Sequence, residues 1–109
     1  MTEREYESQL RELEEAERQQ RELIERARQG LEMALTEEVR KAQVEVLNTA
    51  RHALRLTLET KYFCIWCRDE AAKGRAEAEL TFGNFVRESG ALTETDQGPV
   101  LTFGQKRVF

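Results

Sequence analysis

The chain has 109 residues, 35% of them charged, with a formal net charge of −4, one Pro and six Gly. That length allows one domain with only a thin core of its own, and the composition favours long helices over sheets and differs from Pro- and Gly-rich disorder. A negative balance weighs against a strong nucleic-acid binder. A single His, without a Gly-rich phosphate loop or a nucleophile beside a base, leaves the common catalytic arrangements out.

Charge is unevenly spread. Residues 1–38 hold 12 acidic and 6 basic side chains, residues 39–62 hold 2 and 5, and residues 63–109 hold 7 and 6. The middle of the chain is therefore its basic part. The N-terminus, Met-Thr-Glu-Arg-Glu, has no apolar leader-like segment, and the longest apolar run, Tyr62 to Cys67, is six residues where a membrane span needs about 20. With two Cys and no export signal, a reduced, cytoplasmic setting is expected, the host cytosol if the chain is virus-encoded, with no membrane partner.

In chain order, residues 1–30 form an acidic helical arm, almost all Glu, Arg, Gln, Leu and Ala, strong helix formers. Thr2 with Glu5 has the spacing of a capping box, and Glu7–Arg11, Glu14–Arg18 and Glu22–Arg26 are i,i+4 pairs with the acid first. A 4-3 grid runs through Tyr6, Leu10, Leu13, Glu17, Gln20, Ile24, Ala27 and Leu31, a coiled-coil seam with two polar breaks. Gly30 is the one punctuation mark before Thr60. Because Leu-Glu-Met-Ala-Leu follows it at once and no Pro, Asn or Asp supplies a turn, the reading is one helix of roughly 57 residues, about 85 Å long at 1.5 Å per residue. A break at Gly30 that folds the chain into a hairpin is the alternative.

Residues 31–67 form the central amphipathic helix. Leu35, Val39, Ala42, Val46, Leu47, Ala50, Ala53, Leu54 and Leu58 recur at steps of three and four, one apolar stripe that needs a partner surface. The stripe ends in Tyr62, Phe63, Cys64, Ile65, Trp66 and Cys67, where the core should be thickest. Residues 68–90 carry a shorter helix opened by Asp69 and closed at Ser89-Gly90. Residues 91–109 read as an irregular, turn-rich tail with one strand candidate, Val100 to Phe103. Leu-Thr-Phe-Gly occurs at Leu80 and again at Leu101; this is a chance repeat or a pair of strands zipped together.

Three features bear on function. Cys64 and Cys67 have C-x-x-C spacing, which suits a dithiol or half of a zinc site. The second half is missing, because His52 stands twelve residues upstream and no further Cys pair exists. Buried thiols serving as small apolar residues fit better, and Cys64 and Cys67 stay as the only metal candidates. Arg40, Lys41, Arg51, His52 and Arg55 form a basic face that could follow the phosphates of duplex RNA across a dimer, or could dock an acidic segment such as the arm's Glu12, Glu14, Glu15 and Glu17. The arm itself is a solvated helical strand or a docking element for a basic partner. Together these make the chain an all-α homo-oligomer, a dimer paired through Leu35, Val39, Val46, Leu47, Ala50, Leu54 and Leu58. It is expected to act without cofactor and without catalysis as an adaptor, assembly factor or scaffold for a protein partner, with a double-stranded RNA binder as the runner-up.

Overall fold

A computed structural model describes residues 1–89, 92–95, 98–103 and 106–107. Residues 1–89 are all-α, built on two long helices: α1 spans Glu3–Glu32 and α2 spans Glu37–Ala72. The helices pack on each other antiparallel, so the chain folds back as a hairpin and the single 57-residue helix does not form. The break also falls later than Gly30, which sits inside α1. Met33 and Ala34 close α1 with backbone bonds to Gln29 and Leu31 at 3.1 and 3.3 Å. Thr36 then opens α2, its hydroxyl accepting from the Val39 amide at 3.2 Å, and Glu37 and Glu38 complement the helix dipole in the first turn. Gly30 serves packing instead: a Cβ there would lie 2.8 Å from the Gln43 side chain.

The 4-3 grid of α1 is the face turned to α2. Tyr6, Leu10 and Ala27 are buried, and Leu13, Glu17, Gln20, Ile24 and Leu31 are half-buried. Thr2 caps α1 as its position implies, accepting from the Glu5 amide at 3.2 Å. One polar break in the grid is an interhelical ion pair: Lys61 Nζ and Arg21 Nε each donate to Glu17 at 2.9 Å. Burial pushes the Glu17 carboxyl up, but those two hydrogen bonds outweigh it and hold the group below its ordinary value of 4.5. A carboxylate depressed in the folded state stabilises the fold above its unfolded value, and that contribution is lost as the pH falls below it. Glu17→Gln should therefore flatten the acid limb of a plot of melting temperature against pH. Superimposable acid limbs for parent and variant would show that the pair contributes nothing.

α2 runs straight through the aromatic cluster and stops at a Schellman turn. Gly74, at φ 88°, takes the left-handed position that glycine occupies without steric cost, and the Gly74 and Arg75 amides reach back to Ala71 and Glu70 at 3.0 and 3.2 Å. Asp69 is thus interior to α2 and opens no helix. A 3-10 turn at Glu77–Glu79 leads to α3, Phe82–Ser89, which is shorter than the helix expected over 68–90. Arg75 fastens this corner: it grips Glu88 with two 2.7 Å bonds, reaches Glu70 at 3.2 Å and Glu79 at 3.3 Å, and stacks 5.3 Å over the Trp66 ring.

The core lies at this open end of the hairpin. Tyr6 and Leu10 from α1, Cys64, Trp66 and Cys67 from α2 and Phe85 from α3 form one buried cluster. Phe85 is 1% exposed, with its ring 5.7 Å from Phe63 and 5.8 Å from Trp66. Beyond α3 the tail is more regular than expected. Leu92–Thr95, Gly98–Phe103 and Lys106–Arg107 are strands β1, β2 and β3, an antiparallel meander with Leu92 opposite Leu101 and Thr102 opposite Arg107. The strand candidate Val100 to Phe103 lies within β2. The two Leu-Thr-Phe-Gly copies are not zipped together: the first opens α3, where Thr81 accepts from the Asn84 amide at 3.2 Å.

Candidate interaction surface

The apolar stripe of the central helix divides into two seams one residue apart. Gln43, Leu47, Ala50, Leu54, Thr57 and Lys61 form the inner seam; Leu47 and Ala50 are buried and the rest half-buried, and Leu58 beside them is buried too. Four of the residues expected to join two chains, Leu47, Ala50, Leu54 and Leu58, are therefore covered within one chain. The other three are not: Leu35 is 97% exposed, Val39 45% and Val46 40%. Leu35 lies in the loop ahead of α2, and Val39 and Val46 belong to an outer seam of α2 that continues through Ala42, Thr49 and Ala53 to Leu56, itself 46% exposed. Leu56 was not singled out in the sequence, nor was Leu23 on α1, which is also exposed. The signal was present as a second unbroken 4-3 spacing, 35-39-42-46-49-53-56.

The basic face is split by the same geometry. Arg40, Lys41 and His52 are exposed, whereas Arg51 and Arg55 are half-buried and flank the inner seam. Arg55 is engaged locally, donating to His52 Nδ1 at 2.9 Å and lying 4.0 Å from Glu59. Instead of docking on this strip, the arm pairs elsewhere: Arg18 bridges Glu15 and Glu22 along α1, and Glu17 meets Lys61.

Cys64 and Cys67 are both free thiols buried in the core cluster. Cys64 Sγ donates to the Tyr6 carbonyl at 3.8 Å and to Gln9 Oε1 at 3.6 Å. Burial raises both thiols, Cys67 to about 11 with the neighbouring Cys64 adding to the effect. At neutral pH they are protonated packing groups, the opposite of an activated nucleophile. Among the described residues no group of three or more His, Cys, Asp or Glu is arranged to hold a metal ion, and no helix is long and apolar enough to cross a membrane. The raised thiol has a measurable consequence. Above its ordinary value of 9.0 the unfolded Cys67 ionises while the folded one does not, so stability is full below pH 9 and falls as the pH rises toward about 11. The full loss is about 3 kcal/mol at 1.36 kcal/mol per pH unit. Cys67→Ala should retain more of its melting temperature across that range, and an equal alkaline loss in both proteins would refute the assignment.

No protein family, curated protein or solved structure matches the chain.

Proposed function

We propose that the protein is a non-enzymatic interaction module, an adaptor, assembly factor or scaffold that works by holding another protein against the outer face of its helical hairpin. One observation carries this reading: large apolar side chains at Val39, Val46 and Leu56 stand exposed along one uncharged row of α2, with Leu35 exposed in the loop ahead of it, while the hairpin fills its own interior with a separate set. Scattered exposed aliphatics need no explanation, but a contiguous apolar row on a small chain marks a contact surface.

The experiment that tests the class is a gel-shift titration of the full chain with random duplex RNA at several salt concentrations. The interaction module gives no shift at any salt. A retarded complex whose affinity falls steeply with salt would overturn this reading and place the work on Arg40, Lys41, Arg51, His52 and Arg55, because phosphate contacts release counterions in proportion to their number.

A further inference from the structure

We infer that the occupant of the outer face is a second copy of this chain, two hairpins laid face to face as a four-helix bundle. The inference rests on the interaction-module reading and names its partner.

The offset between the seams fixes which residues share a face of the hairpin. On α2 each outer-seam residue of the paired stretch precedes an inner one: Ala42 before Gln43, Val46 before Leu47, Ala53 before Leu54. On α1 the residues that stand one step before the inward grid are Glu5, Gln9, Glu12, Ala16, Gln19, Leu23, Arg26 and Gly30, with Leu23 the large aliphatic among them. Two antiparallel helices are related by a two-fold axis normal to the plane of the pair, so equal offsets on the two helices fall on the same side of the hairpin. Leu23, at 41% exposed, therefore shares a face with Val46 and Leu56. Small residues at Ala16, Ala42 and Ala53 leave parts of that face open to close approach.

The opposite side of the hairpin is the more heavily charged one. One step after the α1 grid stand Glu14, Arg18, Arg21, Glu25, Arg28 and Glu32, an unbroken set of charges, and on α2 the same side carries Arg51 and Arg55 among Val44, Asn48, Leu58 and Tyr62. One face is thus laced with ions and belongs in water, while the other carries no charge in its α2 row and three, Glu5, Glu12 and Arg26, in its α1 row. Three charges of mixed sign give a strongly charged partner little electrostatic handle on this face, but an identical face does find its match, with both charged sides left outward.

Size agrees. Each copy would contribute two helices over about 20 residues, roughly 30 Å at 1.5 Å per residue, and two such pairs in contact bury on the order of 1,500 Å² in total, the scale of a standard specific interface.

The structure supplies its own control, since Val44 and Val46 are almost equally exposed, 38% and 40%, but stand one step after and one step before the inner seam. Light scattering coupled to size exclusion on the full chain, from about 5 to 100 µM, should give twice the 12.7 kDa chain mass. Val46→Glu should run as a single chain with unchanged helicity, weakening self-association by more than about 100-fold, whereas Val44→Glu should remain paired. If Val46→Glu fails to fold, Leu23→Glu on the neighbouring helix takes its place with the same expected dissociation. A single-chain mass for the parent at the highest concentration, a mass above two chains, a paired and folded Val46→Glu, or equal dissociation by Val44→Glu would each overturn the second-copy assignment. A parent that stays single and also leaves duplex RNA unshifted overturns this partner while the interaction-module reading stands; an RNA shift overturns the module reading itself.

Discussion

Replacing Phe85 with Ala is expected to lower the melting temperature by at least about 12 °C. Among the described residues Phe85 is the most deeply buried large side chain, 1% exposed, and it is the one large apolar side chain of α3 that reaches fully into the cluster formed by Phe63 and Trp66. A buried Phe truncated to Ala costs about 3–5 kcal/mol, through lost transfer energy and the cavity left behind, and each kcal/mol moves a domain of this size by about 4–8 °C. α3 spans only eight residues, too few to persist in water by propensity alone, so its helicity should go with its anchor. Circular dichroism and Trp66 fluorescence, followed together through a thermal melt, report the two events. A shift below about 4 °C would mean that α3 adds little to the core.

Leu47→Glu should go further and unfold the hairpin at room temperature. Leu47 is 7% exposed in the inner seam, where the substitution both removes an aliphatic side chain and sinks a carboxylate among apolar neighbours. The two costs together reach several kcal/mol against a total stability of about 5–15 kcal/mol for a natural domain. Far-ultraviolet circular dichroism should lose most of its helical signal. A variant with parental helicity would mean that the seam between α1 and α2 is misassigned.

Much of the architecture was legible in the amino-acid order. The α1 grid from Tyr6 to Leu31 is the inward face, polar breaks included, and the dense cluster at Tyr62 to Cys67 is where the core sits. One continuous helix was the reading and a hairpin breaking at Gly30 only its alternative, because Gly30 drew attention from Thr36, whose hydroxyl and following acids are the stronger start signal. A second clue lay in phase. Gln43 follows Leu31 by 12 residues, and at about 100° per residue one straight helix would hold the two inward seams roughly a third of a turn apart. A reversal of direction brings them together. What periodicity alone does not supply is the division of the apolar stripe: Val46 and Leu47 are adjacent aliphatics, and which of them is covered depends on where the chain turns and which side α1 approaches. The meander of β1 to β3 was hard to foresee for a different reason, since strands of two to six residues carry too few alternations to register as a pattern.

The uneven distribution of bulk along the hairpin bears on how it breathes. Near the turn the buried inward residues are Ala27, Leu47 and Ala50, while the far end holds Tyr6, Leu10, Trp66 and Phe85. In a helical hairpin the turn is the natural nucleus, because its contacts close the shortest loops. Here that nucleus is the weakly packed end, and the strongest cohesion joins segments far apart in sequence. Amide protons beside the loop should consequently swap with deuterium sooner than those near the chain's first helical turns, so the molecule opens from its bend instead of fraying from its ends.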